Sequence, residues 1–311
     1  MEFRIEKYKE IHNHIWNDFI KTSKNGTFLF NRNYMDYHCD RFIDHSLLVY
    51  KKDKLVAVFP ANEVEKKIQS HGGLSYGGLV YTTKLRTISI LDVFKKLINY
   101  YSQKGFEELY YKVVPKIYNT YPSAEDEYAL FALNAKLYRK DVSSTIDIKN
   151  RPKLSKGRKW LLARSKKENI VIEESLDFHC FFDEYNIHLK SKYNVNSVHS
   201  PEEMLLLKDK FPNNIKLLTA TKDNCFLGGT ILYFTETVIH AQYIHFSKKG
   251  KDIGGFDLLM NYIFKKFEDS KYFDFGISTE KNGRYLNEGL ISFKESFGAR
   301  ATVCDFYKIS L

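Results

Sequence analysis

Three β-rich runs, Ile215 to Thr221, Cys225 to Phe234 and Val238 to Ser247, follow one another with only Lys222-Asp223-Asn224 and Thr235-Glu236-Thr237 between them. That spacing reads as an antiparallel meander, because three residues are enough to reverse an extended chain. Beyond it the pattern changes. A loop containing Gly250, Gly254 and Gly255 leads into a helix from Phe256 to Phe267, then a strand from Tyr272 to Phe275, a helix from Asn287 to Phe297 and a last strand from Thr302 to Ile309. Strands in sequence followed by helices and single strands describe an α+β unit.

The first half reads the same way. A strand is expected from Glu2 to Tyr8 and a helix from His12 to Lys21, with Ile15, Phe19 and Ile20 on one face. Ser46 to Lys51 and Lys54 to Pro60 form a hairpin through Lys52 and Asp53, and paired glycines bracket Tyr76 in SHGGLSYGGLVY, which implies turns or bulges. Leu91, Phe94, Leu97, Ile98 and Tyr101 share a face of a helix from Ile90 to Lys104 that Gly105 closes, and Glu108 to Val114 follows as a strand. These elements make a first domain of residues 1–150. A second, 151–311, opens where Ser155 can cap a helix through Lys167 ahead of a strand from Ile170 to Glu173. Ser200-Pro201-Glu202-Glu203 carries the capping-box pattern of another helix start, reaching Asp209. The last strand is expected to pack on the first domain. With no repeat and no flexible linker, the two domains are expected to share an interface.

Charge is unevenly placed. The 311 residues include 48 Lys plus Arg against 38 Asp plus Glu, a net of +10. Nine of the cations, and no acid, lie between Lys149 and Lys167, so the other 292 residues hold 39 positive and 38 negative charges. A broad nucleic-acid footprint is therefore not expected, and DNA is not an expected partner. The start, MEFRIEKYKEIHNHIW, lacks the apolar core of a signal peptide, and no run of 18 apolar residues exists. Cys39, Cys180, Cys225 and Cys304 lie far apart with no Cys-x-x-Cys pair, so neither a zinc site nor a disulfide framework is expected. Free thiols, no metal and a cytoplasmic location follow as expectations.

The stretch that carries chemistry is Ser247-Lys248-Lys249-Gly250-Lys251-Asp252-Ile253-Gly254-Gly255, between a strand and a helix. A glycine turn at a helix N-terminus presents backbone N–H groups and the positive end of the helix dipole, which suits a pyrophosphate. Glycine before a helix is also ordinary turn chemistry, and both readings stand at this point.

The order of meander, glycine turn, helix, strand ending Asp274-Phe275-Gly276, and helix beginning at Asn287 resembles the GNAT acetyltransferase fold. YFDFGISTEKNGRYLNEGLISFKESFGA, with FLFNRNYMDYH and HGGLSYGGLVY, is similar to the tandem-GNAT and FemABX-like acyltransferases. Within them the chain most resembles the N-acetyltransferases of nucleotide-linked amino-deoxyhexoses, of the dTDP-3-amino-3,6-dideoxyhexose type. The resemblance implies two tandem GNAT-like domains, each a mixed, largely antiparallel sheet flanked by helices. It further implies acetyl-CoA as co-substrate in the second domain and a sugar amine as acceptor, in a surface-polysaccharide pathway. The acetyl-CoA seat would be Ser247, Lys248, Lys249, Gly250, Lys251, Ile253, Gly254 and Gly255, with Asn287. On the GNAT phosphate pattern Lys251, Gly254 and Phe256 fall at the fixed places, and bulky Phe256 departs from it. Lys294 stands seven residues after Asn287, where many GNAT enzymes have a Tyr and FemABX-like proteins often have a Lys, implying a cation that stabilises negative charge.

Acyl transfer to an amine needs a neutral nucleophile, a held carbonyl and a donor for the oxyanion. A backbone N–H between Tyr243 and Phe246 is the implied donor, and His199, His240, His245 and Glu280 are candidate bases. Strict alternation would put Gln242 on one strand face with His240. Tyr76, Tyr118 and Tyr121 are candidates for stacking on substrate, and Arg158 or Lys159 for clamping a diphosphate at a helix start. Two alternatives stay open: a FemABX-type peptidoglycan transferase using aminoacyl-tRNA, with the basic segment on tRNA phosphates, and a non-catalytic GNAT-fold binding module.

Overall fold

The computed structural model describes residues 3–311. In chain order its first elements are β1 (Phe3–Lys7), α1 (Asn13–Thr22), α2 (Arg32–Met35), β2 (Ile43–Asp44), β3 (Leu47–Lys51), β4 (Lys54–Phe59), β5 (Asn62–Val64), β6 (Lys67–Gln69) and β7 (Val80–Tyr81). Then come α3 (Thr87–Gln103), β8 (Glu108–Lys112), α4 (Glu125–Ala132), β9 (Lys136–Asp147), α5 (Lys156–Ser165), β10 (Val171–Ser175), α6 (Phe178–Tyr193), α7 (Pro201–Lys210), β11 (Ile215–Lys222), β12 (Cys225–Phe234) and β13 (Val238–Phe246). The chain ends with α8 (Lys248–Asp252), α9 (Gly255–Lys266), β14 (Tyr272–Ile277), β15 (Thr279–Glu280), β16 (Tyr285–Leu286), α10 (Glu288–Glu295) and β17 (Arg300–Ser310).

These elements form two units. One comprises Met1–Val142, Thr279–Leu286 and Thr302–Leu311, the other Ser143–Ser278 and Asn287–Ala301. Both divisions of the long strands fall inside an element: β9 and β17 each contribute residues to both units.

In the first unit, β1, β3, β4 and β7 form one sheet in that order, all antiparallel. The β3–β4 hairpin turns at Lys52, whose φ of 54° is the left-handed conformation a tight reversal needs. A second set runs β17, β8, β6, β5, β2, where only the β6–β8 pair is parallel. Helix α3 buries Ile90, Val93, Phe94, Leu97 and Tyr101 against Phe59, Tyr81 and Tyr111. The expected strand start at Glu2 lies outside the described residues.

The glycine run is a packed loop that a single cation organises. Lys112, at the end of β8, donates from Nζ to the carbonyls of His71, Gly72 and Leu74 at 3.0, 3.4 and 2.6 Å. Burial, with Arg139 of like charge nearby, pushes this ammonium down to about 8. Gly77 then passes so close to the preceding strand that a Cβ on it would lie 1.9 Å from the Ser70 carbonyl oxygen.

In the second unit the sheet order is β10, β11, β12, β13, β14, β9. All neighbours are antiparallel except β13 and β14. The expected meander is present, and α7 has its capping box: Ser200 Oγ accepts from the Glu203 N–H while Glu203 accepts from the Ser200 N–H. α9 lays Phe256, Leu259, Met260 and Ile263 on Leu218, Ala220, Leu232 and Phe273. α6 and the full length of β9 are not among the elements that periodicity predicted.

Replacing Gly77 by Ala is expected to destabilise the first unit by about 1–3 kcal/mol, because the clash is with backbone. A urea midpoint unchanged from wild type would show that the loop can move away.

Candidate active site

β13 and β14 run side by side only at their starts, through Val238↔Tyr272, Ile239↔Phe273 and His240↔Asp274. Beyond that point β13 continues to Phe246 and β14 to Ile277 without pairing to each other. A bulge accompanies the parting. Ile231 faces Tyr243 while Leu232 faces Ala241, leaving Gln242 as the extra residue in β13. The bulge interrupts the regular register at Gln242, which is half-buried as His240 is, with Ala241 and Tyr243 buried on either side of it.

A polar cluster sits at the fork. Asp274 is buried, yet its Oδ2 lies 3.0 Å from His240 Nδ1, and its Oδ1 accepts from Ser143 Oγ at 2.5 Å and from the Gly276 N–H at 3.1 Å. Burial works against the charged form, but the bonds from His240 and Ser143, the charge of His240 and the Gly276 N–H outweigh it and hold the carboxyl below its ordinary value. In the neutral ring, an ionised partner at Nδ1 keeps the hydrogen on that nitrogen and leaves the Nε2 lone pair as acceptor. The His240 side chain keeps 18% of its surface. The ring lies beside Gly276: a Cβ there would be 3.4 Å from His240 Cε1.

Lys294 closes the end of β14. From α10 its Nζ donates to the carbonyls of Gly276 and Ile277, both at 2.8 Å, which leaves one ammonium hydrogen. Burial lowers this ammonium to about 8, and the Asp274 carboxylate offsets only part of the effect. Asn287 caps the same helix, accepting from the Leu290 N–H at 3.0 Å, so it orders α10.

The remaining candidates fall elsewhere. His199 Nδ1 and Tyr243 Oη are 2.6 Å apart, both residues are buried, and Tyr243 packs on Phe182 and Tyr185. This pair is a structural bond between β13 and the start of α7. His245 is also buried, beside His188, and burial lowers it to about 4. Glu280 is exposed on the β15–β16 hairpin of the first unit. Tyr76 and Tyr118 are buried with ring centroids 4.5 Å apart, and Tyr76 Oη donates to Thr27, so packing takes the faces expected to stack on substrate. Tyr121 is exposed.

The expected glycine loop is corrected in one respect: Lys248–Asp252 is helical, capped by Ser247 Oγ through the Gly250 N–H. The N–H groups of Lys251, Ile253 and Gly254 are bonded to Ser247, Lys249 and Lys251 carbonyls within the segment. Gly254 has φ +80°, and a Cβ on it would lie 2.4 Å from the Leu161 carbonyl oxygen of α5. Glycine is required there because α5 packs on the start of α9. Phe256 is buried against Phe246, Phe293 and Phe297, which explains its departure from the GNAT pattern. Arg158 donates to Asp257 at 3.2 Å and to Ser296 at 2.9 Å, with its guanidinium over Phe297. It is an internal staple between α5, α9 and α10, whereas Lys159 is exposed.

Asp274 and Ser143 are the site residues that sequence reasoning passed over. The signal for Asp274 was an acid inside the apolar strand Tyr-Phe-Asp-Phe-Gly, since a buried charge without a role is costly. Nothing local singles out Ser143. Among the described residues, no group of His, Cys, Asp and Glu is arranged to hold a metal, and the four cysteines are free thiols. No described helix is long and apolar enough to cross a membrane.

No family model and no curated protein matches the sequence. Solved structures share its fold. A structure of FemX aligns over 98% of this chain and 97% of its own at TM-score 0.69 and 11% identity. The C-terminal domain of a putative lysylphosphatidylglycerol synthetase from Agrobacterium fabrum aligns over 96% and 91% at TM-score 0.64 and 11% identity. A tandem GNAT protein from the clavulanic acid biosynthesis pathway aligns over 99% and 98% at TM-score 0.53 and 9% identity. At such identities the likeness speaks for architecture: two tandem GNAT-like domains, each a mixed, largely antiparallel sheet flanked by helices.

Proposed function

We propose that this protein is an acyltransferase that passes an acyl or aminoacyl group from an activated ester directly to a primary amine at the fork of β13 and β14. The observation that carries the reading is the Asp274–His240 pair beside the carbonyl-bound Lys294 ammonium at the point where the two strands part. An amine that is mostly protonated cannot attack, and Nε2 of His240 is placed to take its proton while Asp274 holds the ring. The amine nitrogen then bonds to the acyl carbon, the ester C–O bond breaks, and of the two protons the nitrogen gives up one passes to the leaving oxygen and the other from His240 to solvent. N–H groups of β13 between Tyr243 and Phe246, on the side no longer paired to β14, suit the oxyanion. Lys294 supplies positive charge for the tetrahedral intermediate or the leaving group.

The likeness to FemX supports an aminoacyl ester as the donor, as the FemABX resemblance implies for tRNA-borne groups. The second reading, acetylation of a nucleotide-linked amino sugar, rests on the tandem GNAT likeness and on the exposed Lys248, Lys249 and Lys251. Purified protein given radiolabelled aminoacyl-tRNA and a lysine-containing peptidoglycan-precursor pentapeptide is expected to label the peptide. Thiol release from acetyl-CoA with a dTDP-amino-deoxyhexose instead would establish the second reading, and no transfer in either assay would remove the acyltransferase proposal.

His240→Ala is expected to lower kcat by about 10²–10³, the scale of a lost general base, and to lower the thermal midpoint as well, because buried Asp274 loses a partner. A variant as active as wild type assigns the base elsewhere. Because the Lys294 charge is present below about 8 and lost above it, the loss on Lys294→Met should be large at pH 7 and shrink by pH 9, where the wild type has discharged the same group. A ratio of kcat values that stays constant over that range would remove the charge from the mechanism.

A further inference from the structure

The basic segment has two faces with different fates. The inner face of α5 is committed: Arg158 is bonded to Asp257 and Ser296, Ser165 is fully buried, and the Leu161 carbonyl meets Gly254. Lys156, Lys159, Trp160 and Arg164, spaced for a single helix face, are all exposed, as is Lys167 just past the end of the helix. Trp160 keeps 60% of its surface, and the Arg164 guanidinium lies 5.5 Å from its ring. Lys149 and Lys153 stand exposed just before the helix. Glu168 is paired with Lys222 at 2.6 Å and lies 3.8 Å from Arg164, so Lys156 and Lys159 carry most of the unspent charge.

We propose that the outer face of α5 is a docking surface for an anionic lipid bilayer, with Trp160 entering the interface and the surrounding cations meeting the headgroups. Charge complementarity names the partner's sign, and the tryptophan distinguishes its kind. An indole with an apolar body and a polar N–H settles at a membrane–water boundary, and a basic helix face with one such anchor is the pattern of peripheral attachment. A nucleic acid fits less well. Outside residues 149–167 the chain is nearly neutral, so a long polyanion would find few further contacts, while a bilayer presents many anionic headgroups to one small patch. The proposal does not depend on the acyltransferase reading.

The protein carries its own probe. Its other tryptophan, Trp16, is fully buried and donates to the Phe30 carbonyl at 2.8 Å, so a change in emission on binding reports Trp160. Titration with phosphatidylcholine vesicles containing about one third phosphatidylglycerol should shift the emission to the blue and carry the protein into the vesicle pellet. Pure phosphatidylcholine vesicles should do neither, and 0.5 M salt should reverse the binding. Lys156→Glu with Lys159→Glu should weaken binding about tenfold or more, and Trp160→Ser should abolish the shift while leaving the thermal midpoint unchanged. Equal binding to neutral vesicles, no binding to anionic ones, or unaltered binding by the double variant would overturn the proposal. Salt-sensitive binding of tRNA with none to vesicles would overturn it in favour of a nucleic-acid surface.

Discussion

A carboxylate taken out of water must be met by donors, and Asp274 is met by a histidine from β13, a serine from β9 and a backbone N–H of its own strand. Those three strands are the ones that adjoin where β13 and β14 separate. The same bonds that make the buried charge tolerable therefore fix the geometry of the fork. They also set the orientation of the His240 ring, because Nδ1 has one ionised partner to serve. Truncating such a charge's partners costs several kcal/mol in comparable settings, so the cluster ties site geometry to the stability of the second unit.

Buried ammonium groups solve a related problem in both units. Where a strand gives way to a glycine-rich turn, carbonyl oxygens lose their ladder partners and still need donors. Lys112 serves three such carbonyls after β6, and Lys294 serves two at the end of β14. Each ammonium is held low, to about 8, by burial, and each remains bonded to dipoles that favour its charge. In the first unit this arrangement is architectural. In the second it leaves a cation close enough to Asp274 to feel its charge.

The basic segment shows how one stretch of sequence is divided by folding. Nine cations in a row of nineteen residues look alike on paper. Helical periodicity sends Arg158 inward, where Asp257, Ser296 and two phenylalanine rings absorb its charge, and sends Lys156, Lys159 and Arg164 outward around Trp160. α5 also lies across the start of α9, with the Leu161 carbonyl against Gly254.

What could be read from the residues was what depends on neighbours in sequence: the α7 capping box, the Ser155 cap, the hairpin at Lys52, the meander and the amphipathic face of α3. Periodicity, caps and short turns act over a few residues, so the sequence by itself determined the α+β class and most of the elements. Long-range pairing decided the rest. β9 finds β14 more than a hundred residues away, Gln242 becomes a bulge only against β12, and Gly254 needs its missing side chain only because α5 lies across it. Lys294 was visible as a candidate and Asp274 as an acid in an apolar strand. That the two meet His240 and Ser143 at one fork was decided by tertiary structure alone, since it is burial and close approach, which no local pattern encodes, that turn separate polar residues into a site.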